Sequence, residues 1–332
     1  MKKINIFLIF LSILVSSNSY SEEKSFNEWK ISFKNYALSK NISEKTFDMV
    51  MEDAKFLPKV IEYDRYQPEF YEDTQTYVSK RTSKKKVLNG INLYKKNSKF
   101  IDYIDNKYSI DKELLLALMG IETNFGKYLG KMDIISSLAT LSYDKRRSQF
   151  FTNELIILLQ LIEKDIVNYK LLYGSWAGAF GNFQFMPSTI ESYAVDSDLD
   201  NYINLKSIND SFESAANYLN KLGWNKNEPC YLKIDLYDNT PKYLLNTSAK
   251  KITNKKKFKK FKNYIKNYDS LNIDRNTIVA IITPDKDIVS EANPLKPAFL
   301  VFNNYELILK WNRSLRFALA VCNLKDKFNN EL

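Results

Sequence analysis

Apolar residues recur at three and four spacing over the first two thirds of the chain, as in Phe26, Trp29, Phe33 and Tyr36 or in Leu155, Leu158, Leu159 and Ile162. That is the period of helices with one face in a core. From Phe26 to about Lys221 the pattern predicts a mainly α protein, and polar residues at its breaks supply start and stop signals. Ser43 is expected to start a helix through Met51 and Asp111 one through Thr123. Asp210 with Glu213 forms an acidic capping box on a helix closed by Gly223. Between Tyr231 and Pro297 the pattern changes. A lysine-rich segment from Lys255 to Lys266 precedes β-type runs from Thr277 to Ile282 and from Ala298 to Phe302, which predict a small insertion with strands. A final helix from about Asn312 to Asp326 returns to the main body.

The first residues read differently. Lys2 and Lys3 precede an apolar stretch from Ile4 to Val15, then small polar residues up to Ser21, the three parts of a secretory signal cleaved near Ser21. The apolar stretch is too short to span a bilayer, and no later segment approaches the roughly 20 apolar residues a membrane helix needs. No Cys stands near the cleavage point, so no stable membrane anchor is expected. The chain divides into this signal (1–21), an N-terminal helical part (22–105), a helical core (106–230), the strand-containing insertion (231–303) and a C-terminal helix (304–332).

With 332 residues, 45% of them hydrophobic and 14% aromatic, the chain can bury a large core. The formal charge of +10, part of it lost with the signal, suits an anionic polymer. For an exported protein that points to wall glycan and not to nucleic acid, although a basic solvated surface accounts for the same charge. The lysine segment has the same two readings. The absence of any His narrows the chemistry more, because it removes Ser-His-Asp triads, Cys-His pairs and nearly all zinc sites. Carboxylates must then do the acid-base work. Cys230 and Cys322 fit one disulfide in an oxidising compartment or two buried thiols equally well.

Glycine is scarce, 8 in the chain, yet Gly120, Gly126 and Gly130 fall together, as do Gly174, Gly178 and Gly181. Such clusters mark tight turns, close approach to a ligand, or close helix packing. The first surrounds Glu122. Leu115, Leu118, Met119 and Glu122 are spaced i, i+3, i+4 and i+7, which puts a carboxylate on an apolar stripe. Burial there raises a carboxyl pKa, as a general acid needs, unless Glu122 emerges into solvent at a helix end. The second cluster, from Tyr173 to Ser188, alternates aromatic, small and amide or hydroxyl residues. Sugar sites use that mixture, with flat rings against pyranose faces and polar groups on hydroxyls, although a tightly packed helix pair has the same composition.

The segments Gly120-Ile-Glu-Thr-Asn-Phe-Gly126, Ala139-Thr-Leu-Ser142, Gly174-Ser-Trp-Ala-Gly-Ala-Phe-Gly181 and Gln184-Phe-Met-Pro-Ser188, in this order, resemble the lytic murein transglycosylase B family. Ile203-Asn-Leu205 and Ala216-Asn-Tyr-Leu219 add to the resemblance, which runs from about residue 24 to residue 326. It implies a lysozyme-like helical core, with N-terminal helices and the small strand-containing insertion. It also implies a periplasmic enzyme that cuts the β-1,4 bond between N-acetylmuramic acid and N-acetylglucosamine in peptidoglycan glycan strands. Glu122 would serve as acid and then base, giving a 1,6-anhydro product without consuming water or requiring a cofactor for the chemistry. A hydrolase would need a second carboxylate, for which Asp144 is the nearby candidate. A peptidoglycan-binding scaffold without turnover would not need the acid at all.

By the same resemblance, Ser175 and Gln184 hold the reacting sugar, and Arg146 and Arg147 bind carboxylates of the stem peptide or lactyl group. Tyr218 lines the groove and Asn312 lies on a late strand-to-helix turn. Trp311 and Phe317 replace tyrosines usual in that groove, keeping the rings but losing the hydroxyls. The loop from Asp196 to Leu205 falls where the family carries an EF-hand-like calcium site. Asp196, Asp198 and Asp200 match its first ligands, the Tyr202 carbonyl the next, and Asn201 stands for the usual Gly. Ser207 stands where a bidentate carboxylate is expected. Asp210 then substitutes, or the loop is acidic without metal.

Overall fold

The computed structural model describes residues 25–66, 72–286, 288–289 and 292–332, and the expected signal over 1–21 lies outside them. The first helices are α1 (25–38), α2 (Glu44–Met51), α3 (Pro58–Arg65), α4 (Thr74–Arg81), α5 (Lys84–Tyr108) and α6 (Lys112–Thr123). They are followed by α7 (Ile134–Tyr143), α8 (Ser148–Glu163), α9 (Pro187–Tyr193), α10 (Ile208–Leu222), α11 (Asn303–Trp311) and α12 (Leu315–Asn329). The strands are short: β1 (Met132–Asp133), β2 (Tyr173–Gly174), β3 (Tyr231–Ile234), β4 (Leu245–Asn246), β5 (Lys256–Lys257), β6 (Ile278–Ile282) and β7 (Ala298–Val301). The described residues form two compact units, one made of 25–66, Leu129–Ser192 and Leu199–Asn204, the other of 72–128, Tyr193–Asp198 and the described part of 205–332.

In the first unit α7 packs on α8 and α3 around Leu138, Leu141, Phe151, Leu155, Leu158 and Leu159, all fully buried. Ser43 caps α2 as its position predicts, its hydroxyl accepting the Thr46 N–H at 3.2 Å. Gly130 of the first glycine cluster and Gly174 of the second meet where the chain packs closely on itself. β1 and β2 pair antiparallel with Met132 opposite Gly174, and Gly130, at φ +86°, lies so near the Gly174 carbonyl that any Cβ would overlap it. Only glycine meets both demands.

In the second unit α6 is buried along Leu114–Gly120 and packs against α12 and α5. The insertion is a sheet in the order β3-β7-β6-β4, with β5 on β6; β4 and β6 run parallel and the other pairs antiparallel. Phe258, Phe261, Ile281 and Leu300 fill its core. Cys230, beside β3, is joined to Cys322 of α12 in a disulfide with Cα atoms 6.1 Å apart, which decides between the two readings of the cysteines. Asp285 accepts the Thr74 N–H at 2.9 Å and an Arg316 N–H at 3.0 Å, with Arg316 only 2% exposed. Removing the carboxylate would strand a buried guanidinium. Asp285→Ala is expected to lower stability by about 3 kcal/mol in a urea melt, whereas a change near zero would show that the pair is dispensable.

Three capping expectations are corrected. Ser207, not Asp210, caps α10 by accepting the Asp210 N–H at 3.1 Å, and Asp210 sits buried within the first turn. Its intended partner Glu213 instead accepts from Lys107 at 2.6 Å, Tyr108 at 2.8 Å and Ser197 at 2.6 Å. Burial opposes charge on Glu213, but those donors outweigh it and hold its pKa below the usual carboxylate value. Asp111 precedes α6 without a side-chain cap bond, because its carboxylate accepts the Trp224 indole N–H at 2.6 Å. The single late helix is two. Asn312 is extended (φ −142°, ψ 122°) and Ser314 opens α12 by accepting the Phe317 N–H at 3.2 Å, so Asn312 lies on a helix-to-helix turn, not a strand-to-helix turn.

Candidate active site

Glu122 occupies the next-to-last position of α6. Its stripe partners Leu115, Leu118 and Met119 are 0 to 1% exposed and Glu122 is half-buried, between the buried stripe and the exposed helix end that its spacing allowed. The helix stops at once after it, since Asn124, Phe125 and Gly126 all have positive φ (50°, 62° and 77°). The carbonyl end of a helix disfavours negative charge, and Lys86 offsets this by donating its ammonium to the Gly120 carbonyl at 2.8 Å. Gly120 is a packing glycine, in contact with the Phe125 ring that folds back over it.

The Glu122 carboxylate is met by Trp311, whose indole Nε1–H donates to Oε1 at 3.0 Å. The Trp311 ring stacks on Tyr218 (centroids 5.1 Å apart), which stacks on Tyr193 (4.3 Å). Burial first, and Tyr193 second, push the Tyr218 phenol up to about 12, so it stays neutral across the physiological range. Its hydroxyl donates to the Lys310 carbonyl at 3.4 Å. Sequence reasoning selected Trp311 and Tyr218 but missed Tyr193 and Lys86; the serial spacing of α9 carries no signal that its last ring joins this stack. Phe317 is 4% exposed inside the packing of α12, so it does not line a groove as expected. Asn312 is half-buried, its backbone closing α11 and receiving the Ser314 N–H at 2.8 Å.

Within the first unit, Ser175 and Gln184 flank one tight loop. Ser175 accepts the Ala179 N–H on its hydroxyl at 3.0 Å, and its own N–H donates to the Ala179 carbonyl at 2.8 Å. Gln184, at φ 52°, donates its side-chain amide to the Gly181 carbonyl at 3.0 Å and the Leu129 carbonyl at 3.3 Å. Both side chains are half-buried, and their positions are held by the loop itself. Arg146 and Arg147 both engage the buried carboxylate of Asp64, Arg146 through Nε at 2.6 Å. Two guanidiniums on one carboxylate leave a net positive pair. Asp144 is engaged by Arg65 at 2.9 Å.

Of the acidic loop, Asp196, Asp198 and Asp210 converge, each presenting a carboxylate oxygen within 4.8 Å of the others. Asp210 also accepts the Ser197 N–H at 2.9 Å. Asp200 accepts the Tyr202 N–H at 2.8 Å, and Asn201 takes the left-handed conformation (φ 72°) that its place in the loop requires. Carboxylates gathered this closely repel one another unless a cation or protons intervene, and an all-oxygen set suits a hard divalent ion.

The structure is thus a mainly helical body with a half-buried carboxylate at a helix end, in a chain without histidine. The chain belongs to the Transglycosylase SLT domain family, whose pattern matches residues 25–326. Membrane-bound lytic murein transglycosylase B of Escherichia coli (strain K12) is 36% identical over 143 residues, which cover 43% of this chain and only 40% of that protein. SltB3 from Pseudomonas aeruginosa, solved in complex with NAG-anhNAM-pentapeptide, is 30% identical and superposes with a TM-score of 0.79 over 92% of this chain and 79% of its own. Slt35 of Escherichia coli, solved in complex with calcium, shares the fold at 23% identity and a TM-score of 0.76, covering 91% of this chain and 93% of its own. The fold is thus the lysozyme-like one of lytic transglycosylases.

Proposed function

We propose that this chain is a lytic transglycosylase that cleaves the β-1,4 bond between N-acetylmuramic acid and N-acetylglucosamine in peptidoglycan. The observation that carries this reading is Glu122, a half-buried carboxylate at the end of α6 with Oε1 held by an indole N–H. Glu122 gives its proton to the leaving O4 as the bond to C1 breaks. The same carboxylate then takes the proton from the muramoyl C6 hydroxyl, whose oxygen closes on C1. The 1,6-anhydro ring replaces the bond that was broken, and Glu122 ends protonated as it began. A single acid-base group suffices for this cycle, in contrast to the carboxylate pair of ordinary glycosidases.

Ser175 and Gln184 bind the reacting sugar in this account, and Arg146 and Arg147 bind a stem-peptide or lactyl carboxylate with the positive charge that Asp64 leaves uncancelled. Tyr218 and Asn312 contribute to the glycan groove. The enzyme acts after export to the periplasm, with a signal cleaved near Ser21. Among the described residues no helix is long and apolar enough to cross a membrane. SltB3 is solved with an anhydro-muropeptide, the kind of product this reaction would leave. The test is to digest purified peptidoglycan and weigh the muropeptides. Products lighter by one water than their reducing counterparts are expected, and reducing products would transfer the chain to the hydrolases.

Asp196, Asp198 and Asp210 fit a calcium ion, with a role in holding the loop and none in the chemistry. Millimolar calcium is expected to raise the melting temperature by several degrees over chelator, on the order of 1 to 2 kcal/mol of ligand linkage, and Asp198→Asn to abolish most of that rise. Equal melting with calcium and with chelator would make this an acidic loop without metal.

A further inference from the structure

We propose that Trp311 is the positioning residue of the acid-base group: its indole N–H fixes which oxygen of Glu122 carries the proton. The inference deepens the reading of Glu122 as acid and base and rests on it. An indole N–H can donate but never accept. When Glu122 is protonated, the N–H is best met by the carbonyl oxygen, the stronger acceptor of the two, so Oε1 takes that role and the proton sits on Oε2. When Glu122 is ionised, the same N–H still donates to Oε1, so the group keeps one orientation through both half-reactions and Oε2 both gives the proton up and takes it back.

The donor is itself firmly held. Trp311 is the last residue of α11, its ring lies against Tyr218 at 27°, and Tyr218 lies against Tyr193 at 27°. A hydroxyl at the same place could rotate and accept a hydrogen bond from the acid; the indole cannot. The replacement of a tyrosine by Trp311, which loses a hydroxyl, therefore does not leave Glu122 without a donor.

The charged and titratable groups on the elements packed around α6 include Lys86 on α5, Tyr218 on α10, Lys310 on α11 and Arg316 on α12. Lys86 holds the Gly120 carbonyl, Tyr218 stays neutral, Lys310 is exposed, and Arg316 is held by Asp285. Trp311→Phe leaves these side chains unchanged and keeps a smaller ring against Tyr218, while removing the N–H together with part of the indole.

The experiment compares the full-length mature enzyme with Trp311→Phe and Glu122→Gln on soluble glycan strands, measuring kcat and KM from pH 4 to 9, with melting temperatures taken alongside. A donor to a carboxylate favours its ionised form, so its loss favours the protonated form. The alkaline limb of kcat for Trp311→Phe is expected to move up by about one pH unit. At the optimum kcat falls about tenfold, with KM within about twofold, as for an interaction that serves the reacting group and not substrate binding. The position of the limb does not depend on how much of the variant folds. An unmoved limb, or a change confined to KM, overturns the positioning role. Turnover retained by Glu122→Gln overturns the acid-base assignment beneath it, which the Trp311 profile alone would not reach.

Discussion

Glu122→Gln is expected to lower kcat on peptidoglycan by at least about a thousandfold while leaving the melting temperature within a degree or two. A general acid or base contributes about 10² to 10⁴ in rate, and here one group performs both transfers, so its loss removes both contributions together. Glutamine keeps the size of the side chain and still offers a carbonyl oxygen to the Trp311 N–H, so the ring stack and the end of α6 should survive. It cannot release a proton to the leaving oxygen. Single-turnover release of muropeptides, measured beside binding of intact strands, separates the two effects: binding is retained and release is lost. A variant that still cleaves at a tenth of the normal rate would require another acid.

The second large effect concerns stability. Cys230 and Cys322 close a loop with a sequence separation of 92, tying the start of the sheet to α12, which packs directly against α6. On the chain-entropy account such a cross-link contributes about 4 to 5 kcal/mol through the unfolded state, with native contacts able to reduce the figure. The double variant Cys230→Ala/Cys322→Ala is expected to melt about 10 °C lower, and reduction of the native protein should reproduce the drop. Since α12 supports the helix that presents Glu122, activity should decline at a correspondingly lower temperature. A melting point unaffected by reduction would mean that the bond contributes nothing the packing does not already supply.

Features set by neighbours in sequence were legible before the fold was known. Ser43 caps α2, α6 runs through Thr123, Gly223 ends α10, and the run from Thr277 to Ile282 is β6, because each depends on a few adjacent residues. Pattern alone chose Asp210 as the cap of α10, whereas Ser207, three residues earlier, accepts the Asp210 N–H and Asp210 lies buried in the first turn. Periodicity placed Glu122 on the right stripe of α6, but it does not say where a stripe leaves the core, so its half-buried state was out of reach. Partners distant along the chain were invisible for the same reason: 189 residues separate Glu122 from Trp311, and 82 separate Asp64 from Arg146. The resemblance supplied the role of Glu122 and pointed to a lost hydroxyl at Trp311. Only the geometry gave the indole N–H that stands there.

The most direct test of the central claim is digestion of purified peptidoglycan in water enriched in ¹⁸O, with released muropeptides read by mass spectrometry. An enzyme whose C6 hydroxyl closes on C1 under the control of Glu122 takes no oxygen from solvent, so the anhydro products should carry none of the label. Label at the muramoyl C1 position would mean that water had attacked, and would contradict the account.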